Sequence, residues 1–139
     1  MNDSQKNKNL VEAFCNEVIN KHDLSGVARF LRDDYIQHNA DCPQGKAGFI
    51  EFFKTIFSAV PDFAYSTKQI IAEGDFVWVY SRTTGTHTGG PWLGVAANGN
   101  RLDFDVVDMF RFQDGLIAEH WDVADTCTFF TQLGKIRPA

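Results

Sequence analysis

The run RLDFDVVDMFRFQDGLIAEHWDVAD, Arg101–Asp125, constrains the fold more than any other stretch of the 139-residue chain. Apolar and polar residues alternate through Asp103–Phe112. Asp114-Gly115 turns the chain, and alternation resumes at Leu116. A period of two marks a half-buried strand, and Asp-Gly between two such runs is hairpin turn chemistry. The unusual feature is the placement of ionisable residues: Asp108, His120 and Asp122 stand among apolar positions.

Two registers are open. A two-residue turn pairs Gln113 with Leu116 and Asp108 with Trp121. A three-residue loop, a type I turn followed by Gly115 in the left-handed region, pairs Phe112 with Leu116, Asp108 with His120 and Val106 with Asp122. The second is preferred. It gathers Phe104, Val106, Phe110 and Phe112 with Leu116, Ala118 and Ala124 on one face, as a buried sheet face requires. Two carboxylates and an imidazole then sit on a greasy surface. Burying an unpaired charge is costly, so such groups are paired, neutralised or put to use. Val107, Met109, Ile117, Trp121 and Val123 fall on the opposite face, an apolar patch that suits a homodimer surface.

Upstream, the period is helical. Leu10, Val11, Phe14 and Val18 predict a helix over about Ser4–Lys21, with Asp3 or Ser4 as cap. Asp23 caps a second short helix carrying Leu24, Val27, Phe30 and Leu31. Tyr35–Asn39 lies in a turn and short extended piece. A third helix over about Lys46–Ala59 has Phe49, Phe52, Phe53, Ile56, Phe57 and Val60 on one stripe, and Pro61 stops it. After Pro61 the period falls to two: strands over Phe63–Ala72 and Phe76–His87 flank a Gly74-Asp75 turn. Thr88–Gly99 is a Gly-rich loop, and Thr126–Leu133 a short closing helix. Helices first and antiparallel strands after predict a single α+β domain. The expected form is a strongly curved sheet whose helices close a hydrophobic pocket, a cone.

Asp122 is the first candidate for general acid or base; the alternative is a carboxylate that holds a loop or helix end. Asp108 and His120 either pair as a buried ion pair or share in the chemistry. His38 and Asn39, in YIQHN, are placed to bind a carbonyl or enolate oxygen or to build a turn. His87 ends a strand beside the Gly-rich loop, at the pocket mouth or exposed. Tyr35, Trp78, Trp92 and Phe110 line a flat hydrophobic ligand or fill the core. No metal spacing, phosphate loop or nucleophile elbow is present. A net charge of -5 without a basic stripe argues against nucleic acid as partner. No apolar run approaches a membrane span, and a cytoplasmic location is expected. Three widely spaced cysteines give no disulfide framework.

The segments DDYIQHN, EGDFVWVYSRTTGTHTGG, DMFRFQDGLIAEHWDVAD and TQLG resemble the SnoaL-like polyketide cyclases, within the nuclear-transport-factor-two-like superfamily of α+β cones. The resemblance covers nearly the whole chain. It implies a cofactor-independent intramolecular aldol condensation, without metal, on a small hydrophobic carbonyl compound. It also implies that Asp122, in the D-G-x-I-x-x-H-x-D pattern, is the general acid/base. This chain departs from the family in one place: Asp108 stands where characterised cyclases carry histidine. His120 across the hairpin, or His38 from the helical side, would replace that donor. The same cone also hosts isomerases, dehydratases, hydrolases and non-enzymatic binders.

Overall fold

Apolar residues at three- and four-residue intervals fold the N-terminal part into helices. In a computed structural model describing residues 2–137, α1 spans Asp3–Phe14 and continues as a π-helical turn, Cys15–Asn20. Asn2, rather than Asp3 or Ser4, is the cap: its side-chain oxygen accepts from the Gln5 N–H at 2.9 Å. The second expected helix is a 3-10 turn over Leu24–Arg29, capped by Asp23. Leu31 already belongs to strand β1, Leu31–Gln37. Helix α2, Gly45–Ala59, buries Phe49, Phe53 and Ile56.

The strands β2 (Ala64–Glu73), β3 (Phe76–Thr86), β4 (Arg101–Gln113) and β5 (Leu116–Ala124) follow, then α3, Thr126–Leu133. One sheet has the order β1-β5-β4-β3-β2. Its pairs are antiparallel except β1–β5, which is parallel. The fold is thus α+β, with the helices on the inner face of a mixed five-stranded sheet. Among the described residues no helix is long and apolar enough to cross a membrane.

The hairpin has the two-residue turn, with Gln113 opposite Leu116, and not the preferred three-residue loop, but neither expected partner of Asp108 is found. Asp114 and Gly115 both have positive φ, 53° and 77°, the geometry of a two-residue type I′ turn. That turn pairs Gln113 with Leu116 and Phe112 with Ile117. Arg111 then pairs with Glu119, leaving Ala118 as the extra residue of a β-bulge. Beyond the bulge Phe110 faces His120, and Asp108 faces Asp122. The bulge returns the even-numbered residues of β5 to the inner face. It also turns Ile117 inward: it is fully buried in the core, not part of the outer patch.

Two carboxamides fix the strands that face the interior. The Asn20 side chain donates to the Tyr65 carbonyl at 3.0 Å and accepts from the Tyr65 N–H at 2.7 Å. Gln44 does the same for Gln37, at 2.6 and 3.0 Å. Each side chain satisfies both backbone groups of one residue, as a neighbouring strand would.

Candidate active site

The parallel β1–β5 pairing sets Gln37 beside His120, and the bulged β4–β5 pairing sets Asp108 beside Asp122. These groups meet in the wall of a cavity of about 430 Å³. The rest of the wall is largely aromatic, including Phe14, Phe49, Phe53, Phe110 and Trp92. A volume of this size suits a small organic molecule.

Hydrogen bonds order the polar cluster. The Gln37 Nε2 donates to the Tyr35 hydroxyl at 2.7 Å, and its Oε1 accepts from the Asn39 N–H at 3.0 Å. The backbone donor fixes which end of the amide is oxygen. His120 Nδ1, 2.7 Å from the same Oε1, must therefore carry a hydrogen and donate. His120 Nε2 lies 2.8 Å from Asp108 Oδ1, with both side chains buried. One proton occupies that contact, whether it rests on nitrogen or oxygen, and the pair is neutral as a unit.

Asp122 is placed differently. Its Oδ2 accepts from Asn39 Nδ2 at 2.8 Å and lies 3.9 Å from His120 Nε2, too far for a hydrogen bond. Among the described residues none donates to its Oδ1. Burial raises the Asp122 carboxyl above its ordinary value of 3.8; Asn39 and His120 oppose this, and Asp108 adds to it. Asp122 is thus a carboxylate in the wall of a largely apolar cavity, anchored through one oxygen. The nearest ligand atoms of Asp108, His120 and Asp122 lie within 4.8 Å of one another, compact enough to surround a cation. As they stand, two of the three are hydrogen-bonded to each other.

The cavity therefore gathers Asp122, His120, Asp108, Asn39, Trp92 and Phe110. Four other sequence candidates, His38, Tyr35, His87 and Trp78, lie elsewhere. His38 is on the outer face, stacked on Trp121 at 4.7 Å and donating from Nε2 to Glu119 at 2.6 Å. Tyr35 is buried in the core and reaches the site only through Gln37. His87 is neither exposed nor at the mouth. Its backbone pairs with Asn100 and Gly99, and its Nε2 donates to the Gly90 carbonyl at 2.8 Å, so the Gly-rich loop folds over it. Asn39, expected to bind a substrate oxygen, is occupied: its Nδ2 holds Asp122 and its Oδ1 accepts from the Asp41 N–H at 2.9 Å. Trp78 lies on the outer sheet face.

Gln37, Tyr65 and Thr83 are the polar site residues that the sequence reading missed. Gln37 had a signal. In YIQHN, Tyr35, Gln37 and Asn39 share one face if the segment is extended. Two wall cysteines are poor nucleophiles: burial, foremost, pushes Cys15 up to about 12 and Cys42 up to about 11.

Comparison with known proteins gives a consistent picture. The family model for SnoaL-like polyketide cyclase matches residues 9–133. A protein named probable cyclase otaY, from Aspergillus niger, is 30% identical over 79 residues, 56% of this chain and 66% of its own length. The match thus spans just under two thirds of that relative. TsrD from Streptomyces laurentii superimposes with a TM-score of 0.86 at 28% identity, over 95% of this chain and 97% of its own. AclR from Streptomyces galilaeus, a candidate hydroxylase, gives 0.85 at 29%, over 98% and 85%. IdmH from Streptomyces antibioticus, a candidate polyketide cyclase, gives 0.77 at 25%, over 92% and 98%.

Proposed function

Because this chain belongs to the SnoaL-like polyketide cyclase family, we propose that it closes a ring in a hydrophobic, carbonyl-bearing small molecule by intramolecular aldol condensation, with Asp122 as acid/base. The observation that carries this reading is the state of Asp122: half-buried in the cavity wall, pKa raised, and anchored through Oδ2 to Asn39. A base in that state removes an acidic proton flanked by two carbonyls. The enolate carbon attacks a second carbonyl of the same molecule and forms the new carbon–carbon bond. Asp122 then returns its proton to the new alkoxide. No atom enters or leaves, so the step needs no co-reactant.

The other residues hold this arrangement. Asn39 aims the carboxylate. The Asp108–His120 pair, neutral as a unit, keeps a second full negative charge from facing Asp122. The aromatic wall folds the substrate so that its reacting carbons lie close, which is where most of the rate gain of a ring closure comes from.

The test is Asp122→Asn, which keeps the bond to Asn39 within reach and removes the base. Turnover of a substrate, once one has been identified by product formation with the wild type, should fall by about 10³-fold, with the circular dichroism of the folded protein unchanged. Undiminished turnover overturns the mechanism. A product whose carbon skeleton is unchanged points instead to an isomerase, dehydratase or hydrolase on the same cone.

A further inference from the structure

The rim of the cavity carries a charge that the mechanism does not use. Three carboxylates line the cavity, those of Asp41, Asp108 and Asp122, and among the described residues no lysine or arginine does. Lys135 touches two lining residues without entering the wall. Its Nζ donates to the Leu93 carbonyl at 3.1 Å and lies 5.7 Å from the centre of the Phe130 ring. Asp108 shares one proton with His120, so the charges in surplus are those of Asp122 and Asp41.

Asp41 is placed by the residue that holds Asp122. The Asn39 side chain accepts from the Asp41 N–H at 2.9 Å through Oδ1 and donates to Asp122 at 2.8 Å through Nδ2. The turn after β1 is thereby pinned to the base, and Asp41 stands at the exposed edge of the cavity. Among the described residues its own carboxylate makes no hydrogen bond or ion pair. It anchors nothing, and no neighbour offsets its charge. That charge reaches the site: burial, foremost, raises the Asp122 pKa, and the charges of Asp108 and then Asp41 add to it.

An anion entering such a cavity meets two costs. It gives up its water to a largely aromatic wall, and it is repelled by carboxylates with no lysine or arginine in the wall to offset them. An uncharged carbonyl compound pays neither. We propose that Asp41 is a specificity-determining residue that turns carboxylate-bearing compounds away at the rim, and that the substrate is uncharged along its whole length. This deepens the acid/base reading of the same site and rests on it only for calling the preferred ligand a substrate. Ligand binding tests the charge selection by itself.

The probes 9-fluorenone-2-carboxamide and 9-fluorenone-2-carboxylate are close in shape and differ by one negative charge near neutral pH. Wild-type protein at low salt should bind the carboxamide about a hundredfold more tightly. Asp41→Asn removes the charge and keeps the backbone turn. It should narrow that preference about threefold, the repulsion of two unit charges ~7 Å apart in water. The change should come from tighter binding of the carboxylate, with the carboxamide unaffected. It should vanish in about 0.5 M salt, where the screening length falls to ~4 Å. Asp3→Asn makes the same change in net charge at the far end of α1 and should leave the ratio as it is. The proposal is overturned if the wild type binds the two probes alike, if Asp41→Asn leaves the ratio unchanged, if Asp3→Asn narrows it as much, or if the narrowing persists at high salt. Failure of the Asp122 mechanism would appear as undiminished turnover in Asp122→Asn and leave these binding ratios untouched.

Discussion

The β4–β5 hairpin carries two histidine–carboxylate pairs, one on each face, from adjacent positions of one strand. Glu119 points outward and holds His38 at 2.6 Å and Arg111 at 2.8 Å. His120 points inward and meets Asp108 at 2.8 Å, with Asp122 at 3.9 Å. The composition is similar, but the electrostatics are opposite. On the outer face Arg111 and then His38 lower the Glu119 pKa, making it a settled anion. In the cavity, burial raises Asp122, and two carboxylates share one imidazole. A charge with surplus partners is structural; one with too few, in a dry site, is reactive.

The sharpest way to break this comparison is to neutralise one carboxylate on each face. Asp122→Asn should lower kcat by about 10³-fold, within the range of general acid–base catalysis. Glu119→Gln should leave kcat within about twofold, since Glu119 lies on the outer face and does not line the cavity. Equal losses in the two variants would mean that the inner cluster is another structural network.

The faces differ in apolar exposure as well. Ile71, Phe76, Trp78 and Val123 are well exposed on the outside, around a shallow groove that also includes Met109 and Trp121. We propose that a second copy of the chain covers this face, giving a homodimer. Trp78→Glu should then weaken self-association by about a hundredfold, the loss of an aromatic anchor worth ~2–3 kcal/mol. Sedimentation at micromolar concentration would report it. A wild-type monomer under those conditions contradicts the dimer.

Gln37 sharpens the inner half of the comparison. Its Oε1 fixes the hydrogen on His120 Nδ1, leaving Nε2 to Asp108. Gln37→Leu removes that acceptor from a buried site, a loss of ~1–3 kcal/mol, and kcat should fall about tenfold to a hundredfold. Nitrogen NMR of His120 should show the hydrogen on Nδ1 in the wild type and a mixed tautomer in the variant. Gln37→Glu, which keeps an acceptor, should restore the Nδ1–H. An unchanged His120 spectrum in Gln37→Leu removes Gln37 from the site.

What the chain discloses in advance follows from how local each feature is. The Phe49–Val60 stripe and Pro61 mark α2 to within a residue, because the apolar face and the stop are both local. The inner face of the hairpin is legible because alternation survives a register shift of two. The register itself is not. It is set by a bulge at Ala118, where β5 must pair with β4 on one side and β1 on the other. His87 shows the same limit: a histidine beside glycines reads as exposed, yet the loop closes over it through Gly90 and Gly99. His38 and Asn39 are neighbours just past the end of β1, yet their side chains go to different sides. One holds Asp122 and the other stacks on Trp121.

The smallest expected effect is also the one in which the two faces should differ in sign. Asp122 has a raised native pKa, so between its unfolded value of 3.8 and that raised value the native protein holds a proton the unfolded chain has released. Its contribution to stability is full below 3.8 and is lost as pH rises through the native pKa. Glu119 has a lowered native pKa. Its contribution is present above the unfolded value of 4.5 and is lost as pH falls through the native one. Urea unfolding over a pH series reads both as differences from the wild type. The advantage of wild type over Asp122→Asn should shrink as pH rises, by at most ~1.4 kcal/mol per pH unit. The advantage of wild type over Glu119→Gln should grow as pH rises. If both differences move in the same direction, burial does not separate the two carboxylates, and Asp122 loses the property that singles it out as the base.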